Sequence, residues 1–257
     1  MERGGGGPGE ASRGVWLART AVATALLMGP AVALAACRFP SEPEIAWGVG
    51  LVAWVLLVVF WLSKKVSAVW DRYVARKFIH FTTGGLVAII APYVFREPTV
   101  PFAGAMFMAL ITVIPRLRGE VFDWYQLRDS FGDTYFCLTW GIVFLLLWDV
   151  NLNAAIASSL FMAFGDGVTG LVRRNFVKER KKTLHGTAAM IPTCALIGWL
   201  YAGPAGVLAG LVASAVELLP KVDDNLTVPL ISAAIMYALS STGWFAPALG
   251  VLHGGAT

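Results

Sequence analysis

The chain has 257 residues, 57% of them hydrophobic and only 14% charged, with a net charge of +4 at pH 7. A soluble domain carries about 25% charged residues, so this surface suits a lipid bilayer and not water. The same figures exclude a disordered or collagen-like chain over most of the length. The charge is small for a nucleic-acid binder. Three cysteines (Cys37, Cys137, Cys194) without paired spacing argue against a disulfide framework or a zinc cage.

Residues 1–14 are Gly-rich and lack apolar periodicity, which reads as a disordered cytoplasmic tail. Apolar stretches follow at about 16–37, 45–62, 78–95, 100–114, 134–148, 154–172, 187–201, 203–219 and 226–241, with a short one at 243–252. Each is long enough, or nearly so, to cross a hydrocarbon core of about 30 Å. The expected fold is therefore all-α: a polytopic integral membrane helical bundle of about nine (eight to ten) transmembrane helices. Its expected parts are two N-terminal transmembrane helices over 15–71, a catalytic transmembrane core over 72–241 and a short C-terminal segment over 242–257. With the N-terminus in the cytoplasm, all of the 20 basic residues except Arg38 and Arg96 fall on the cytoplasmic side. Leu34-Ala35-Ala36-Cys37 also resembles a secretory or lipoprotein cleavage site, but cleavage there would remove a charge-consistent first helix.

Polar groups at membrane depth are costly and mark candidate sites. Four clusters do so, all expected at the cytoplasmic face. In the first, Arg76, His80, Thr83 and Gly84 share one helix face by i, i+3 and i, i+4 spacing. The plain alternative is a snorkelling basic pair with a histidine bonded to a neighbouring helix. The second is Gly165-Asp166-Gly167-Val168-Thr169-Gly170. It matches G-x-G-x-x-G, but an apolar span and not a strand precedes it, which refutes a dinucleotide or protein-kinase loop. An aspartate flanked by Gly165 and Gly167 lets backbone or a phosphate approach closely and suits a divalent cation; otherwise the glycines pack helices and Asp166 caps one.

The third cluster runs from Arg173 and Arg174 through Lys178, Arg180, Lys181, Lys182 and Thr183 to Gly186 and Thr187. Its basic residues suit a polyphosphate, with Thr and backbone N–H groups adding hydrogen bonds; a patch attracted to anionic lipid is the alternative. In the fourth, Glu217 lies inside an apolar span, and Asp223, Asp224 and Asn225 follow at a helix end. Hard oxygen ligands of this kind suit Mg²⁺ held by one or two carboxylates plus substrate phosphates; the alternative is a polar turn. The stretch from Arg116 to Asp133 reads either as a solvated loop or interfacial helix, or as a lid or substrate contact. Carboxylates for Mg²⁺, cations for phosphates and a histidine at one membrane face are what phosphoryl or nucleotidyl transfer requires.

The ordered set Arg76-Lys77-x-x-His80, Gly165-Asp166-Gly167, Lys182-Thr183-x-x-Gly186-Thr187, Glu217-x-x-Pro220 and Asp223-Asp224-Asn225-Leu226-Thr227-Val228-Pro229 resembles the CTP-dependent polyprenol kinases, the dolichol kinase and phytol kinase group, over about residues 72–240. The resemblance implies a membrane kinase that moves the γ-phosphate of CTP to an isoprenoid alcohol, with Mg²⁺ as cofactor. It implies nucleotide contacts at Asp166, Gly167, Lys182, Thr183, Gly186, Glu217, Asp223, Asp224 and Asn225. Asp223 and Asp224, with Asp166, are the expected metal ligands. Lys181, Lys182 and Arg174 are expected to neutralise the triphosphate. Asp166 or His80 accepts the alcohol's proton; the sequence does not choose. Leu184-His185 departs from the family, many of whose members carry a glutamate just before the glycine. The short N-terminal block favours a short alcohol such as phytol or geranylgeraniol. The related CTP-using phosphatidate cytidylyltransferases are the second reading, and a transporter the third.

Overall fold

The computed structural model describes residues 10–176, 184–219 and 222–249, and these form helices joined by short loops, with no strand among them. In chain order the helices are α1 (Glu10–Cys37), α2 (Glu42–Leu57), α3 (Ser63–Val69), α4 (Arg72–Ile79), α5 (Leu86–Val94), α6 (Thr99–Leu117), α7 (Gly132–Leu147), α8 (Leu152–Leu160), α9 (Asp166–Phe176), α10 (Leu184–Ala202), α11 (Pro204–Glu217) and α12 (Asp224–Ala238). Three π-helical turns, Val58–Leu62, His80–Gly85 and Phe161–Gly165, fuse α2 to α3, α4 to α5 and α8 to α9. The described residues thus form nine continuous rods, one for each apolar stretch read from the sequence. Five of these rods are long and apolar enough to cross a membrane: Gly14–Cys37, Glu42–Val69, Arg72–Val94, Thr99–Leu117 and Leu152–Arg174.

Local chemistry sets the rod ends. Glu44 accepts hydrogen bonds from the Ser41 N–H and hydroxyl at 2.9 and 2.7 Å, a capping box that starts α2. Asp71, Asn151 and Asp223 cap α4, α8 and α12 by accepting from backbone N–H groups of the first turn. Gly203, at φ +62°, turns α10 into α11 in a backbone region that disfavours other residues.

Packing follows the distribution of apolar side chains. The rod Leu152–Arg174 is the most buried of the five long apolar rods, and its Ile156 and Phe161 are fully buried beside Phe144 and Trp148. By contrast, α1 rests mainly on α6 and exposes Leu26 and Val32 at 71% and 65%. Large apolar side chains are also exposed on the outer faces of α2, α7, α10 and α11, the inverse of a water-soluble surface.

The connections sort into two sets. At one end Arg38 pairs with Glu97 and Asp149, each at 2.8 Å, and Glu44 accepts from the Arg96 N–H. At the other end Asp71 pairs with Arg174 at 3.0 Å, Arg72 donates to the Gln126 carbonyl and Lys64 lies over Trp124. Successive rods therefore run alternately up and down the bundle, and the basic residues gather at the second end.

Candidate functional site

Two of the π-helical turns meet, and each carries one of the membrane-depth ionisable residues read from the sequence. His80 opens the turn His80–Gly85, and Asp166 directly follows the turn Phe161–Gly165. Such turns widen a helix by one residue and leave carbonyls without their usual partner. Tryptophans supply donors: from neighbouring rods, Trp54 Nε1 to the Thr82 carbonyl at 2.9 Å and Trp140 Nε1 to that of Gly84 at 3.1 Å, and from the loop after α6, Trp124 Nε1 to that of Val59 at 2.9 Å. The widened turns approach closely because of glycine. A Cβ at Gly167 would strike the Phe81 ring, and one at Gly85 would lie 2.7 Å from the Phe164 ring.

Where the turns meet, Lys77 donates to Asp166 in a buried ion pair. His80 Nδ1 lies 3.9 Å from the same carboxylate oxygen, too far for a hydrogen bond. It is buried with no hydrogen-bond partner among the described residues, and its ring stacks on Phe136 at 4.2 Å. Lys77, named in the sequence only as part of a basic pair, is therefore the direct partner of Asp166.

A second polar group stands beside the first. Asp223 accepts from the N–H and side-chain amide of Asn225 at 3.0 and 2.9 Å, and Asp224 accepts from the same amide at 3.3 Å. The Asn225 carbonyl accepts from the Thr139 hydroxyl at 2.7 Å, which fastens the start of α12 to α7. Gly132 is the point of convergence. A Cβ there would lie 2.7 Å from Asn225 Nδ2, 3.2 Å from Arg76 Nη2 and 3.3 Å from Asp223 Oδ2. Asn225 Oδ1 is buried and unpartnered among the described residues. The turn thus offers two carboxylates and one amide oxygen, hard donors of the type that Mg²⁺ takes, with an arginine near by.

The stretch 116–133 is mainly an irregular loop after α6, with Arg118, Glu120, Asp123, Arg128 and Asp129 exposed and Tyr125, Gln126 and Asp133 buried. Arg116 pairs with Asp133 at 2.7 Å and donates to the Leu127 carbonyl at 3.0 Å. Gln126, fully buried, donates to Asp133 and to the Thr112 carbonyl. The network anchors Tyr125, whose hydroxyl is buried and unpartnered among the described residues. Burial, and then the Asp133 carboxylate, push this phenol well above its ordinary range, so it stays protonated and can donate. Sequence reading missed Tyr125 because its burial depends on three helices that pack over the loop.

These groups close one end of an apolar groove with about 960 Å³ of empty space, counting its open side. The groove runs between the α2, α4–α5, α6 and α7 rods, with Arg76, His80, Thr112, Tyr125 and Asp133 at the polar end. Arg76, His80, Thr83 and Gly84, read from the sequence as one helix face, all line it.

Other candidates lie elsewhere. Asp166 does not join Asp223 and Asp224 in one cation site: among the described residues no cluster of three or more His, Cys, Asp or Glu side chains is placed to hold a metal, and Asp166 is committed to Lys77. Glu217 is fully buried between α9, α10 and α11, accepting from Arg173 and from Thr187 at 3.3 Å. Gly165 and Gly186 leave room for side chains and not for a phosphate, since a Cβ would lie 2.6 Å from Cys194 Sγ and 2.7 Å from Thr169 Cγ2 respectively. Arg174 pairs with Asp71 and faces Trp70 at 5.3 Å. Lys178, Lys181, Lys182 and Thr183 lie outside the described residues.

No protein-family profile, curated protein or solved structure matches this chain.

Proposed function

We propose that the chain is a multi-pass membrane enzyme that phosphorylates an isoprenoid alcohol from CTP, with the end that carries the basic residues facing the cytoplasm. One observation carries the reading. The polar end of the apolar groove is lined by His80 and Tyr125, whose Nδ1 and Oη are buried and unpartnered among the described residues, and by Arg76, which lies against Gly132 as Asp223 and Asn225 do. A lipid and a metal-bound phosphate would meet there.

In the proposed reaction the alcohol oxygen attacks the γ-phosphorus of CTP. The new O–P bond forms as the bond from that phosphorus to the β–γ bridging oxygen breaks, and CDP leaves. His80 Nδ1 accepts the alcohol's proton. It suits this task better than Asp166, whose carboxylate is neutralised by Lys77. Tyr125 orients the hydroxyl, and Arg76 draws charge from the transferring group. Asp223, Asp224 and Asn225 would hold Mg²⁺, which when bound neutralises phosphate charge. The basic segment that includes Lys178, Lys181 and Lys182 lies next in the chain to α9 and suits the rest of the triphosphate.

The test supplies the purified protein with Mg²⁺, isoprenoid alcohols, phosphatidic acid and CTP labelled at the α or γ phosphate. Label from γ in an organic-soluble product is the expected result. Label from α would establish a cytidylyltransferase instead, and binding of no nucleotide would favour a transporter. Asp224→Ala should abolish transfer, and His80→Gln should slow it by roughly 10²–10⁴-fold while the protein stays folded.

A further inference from the structure

The groove has a floor as well as a polar mouth. Away from His80 its lining comes from Gly48, Val52, Phe95, Val100 and Gly104. At that far end α2 and α6 close on each other. A Cβ on Gly48 would strike Val100 Cγ1, so the Val100 side chain seats directly on the α2 backbone. Phe95 is buried beside it at the C-terminus of α5. Midway, Gly104 leaves the wall open: a Cβ there would find only Val52 Cγ2, at 3.8 Å. Between Thr112 at the mouth and Val100 at the floor, α6 rises roughly 18 Å at 1.5 Å per residue.

From this we infer that the groove holds the single hydrocarbon tail of the acceptor and measures its length, with the hydroxyl at His80 Nδ1 and Tyr125 Oη, the chain passing Gly104 and its end stopped by Val100 and Phe95. The inference rests on the proposed acceptor class. Two features select this occupant. The mouth offers one hydrogen-bond acceptor and one donor, both buried and unpartnered among the described residues, which match a neutral hydroxyl that donates once and accepts once. The walls are apolar along their length, which suits a hydrocarbon chain. A chain much longer than the channel must bend out of the open side before the floor and so loses its apolar contact with Val100 and Phe95. Long polyprenols are therefore poor ligands relative to alcohols that end at the floor.

The test measures binding directly. The full chain in detergent is photolabelled with a diazirine-bearing geranylgeraniol, the labelled residues are mapped by mass spectrometry, and geraniol, farnesol, geranylgeraniol and dolichol compete. The expected labels fall on α2, α5, α6 and α7, with geranylgeraniol competing at least tenfold better than dolichol. Gly104→Leu should weaken geranylgeraniol at least tenfold relative to geraniol. Val100→Ala opens the floor and should narrow the gap between geranylgeraniol and dolichol; it removes two methyl groups only and guards against a misfolded leucine variant. Labels on the outer faces of α1 or α10, or variants that change all chain lengths equally or not at all, would overturn the length gauge. Phosphate transfer with labels outside the groove sinks the gauge and leaves the kinase standing. Labels in the groove without transfer from CTP do the reverse.

Discussion

At the scale of single residues, burial decides what a charge is worth. Lys77–Asp166 and Arg38–Glu97 are both lysine- or arginine-to-carboxylate pairs, but the first is almost completely buried and the second half exposed. Removing one partner of a buried pair strands a charge in low dielectric and costs about 3–5 kcal/mol, whereas an exposed pair is worth about 1 kcal/mol or less. Lys77→Met is therefore expected to lower the unfolding temperature in detergent sharply, Lys77→Met with Asp166→Leu to recover most of that loss, and Arg38→Ala to change little. A Lys77→Met protein as stable as the parent would refute the buried pair. The sequence marks Asp166 as out of place in an apolar span but does not name its partner, which stands 89 residues earlier. Nor does it distinguish Glu217, held by Arg173 and Thr187 inside the bundle, from a carboxylate aimed at a nucleotide.

At the scale of elements, the π-helical turns account for most of what periodicity misses. A 3.6-residue pattern places Arg76, His80, Thr83 and Gly84 on one face, and that face does line the groove. It does not reveal that the helix widens at His80–Gly85 or that tryptophans from α2 and α7 satisfy the carbonyls so released. The glycines around Asp166 also have an element-scale reason, because they let two widened turns touch. Gly167→Ala gains roughly 1 kcal/mol of helix propensity but drives its methyl into the Phe81 ring, itself held 5.1 Å from Phe164. Overpacking of this kind costs about 1–3 kcal/mol, so the variant should be less stable by thermal unfolding. Phe81→Ala added to Gly167→Ala should then cost less than the two single changes summed; strict additivity would mean that the side chains do not meet.

At the scale of the whole molecule, the loops sort into two ends, and the charges sort with them. Cys37 is exposed beside Arg38, at the end away from His80, while Cys137 is only partly accessible and Cys194 is buried. With the basic end in the cytoplasm, a membrane-impermeant maleimide added to intact cells should label Cys37 and leave Cys137 and Cys194 unmodified until the protein is denatured. Labelling of Cys37 only after the membrane is opened would invert the proposed orientation. The second rod also forms one wall of the groove, through Val52 and Val55.

The helical class, the apolar rods and the residues too polar for their surroundings are all legible in the amino-acid sequence. These follow from local terms: side-chain transfer free energy, helix period and capping chemistry act within a few residues and are legible in any one segment. Which polar residues become neighbours is a property of the packed helices. The fold joins Lys77 to Asp166 and sets both Arg76 and Asp223 against Gly132 across long separations, ties Arg116, Gln126 and Asp133 into a buried network under a partly exposed loop, and leaves His80 Nδ1 and Tyr125 Oη without a partner among the described residues. Those outcomes depend on which rods pack together and at what height, and in an apolar medium that is fixed by close approach at glycines and by hydrogen bonds between helices, neither of which leaves a periodic trace along the chain.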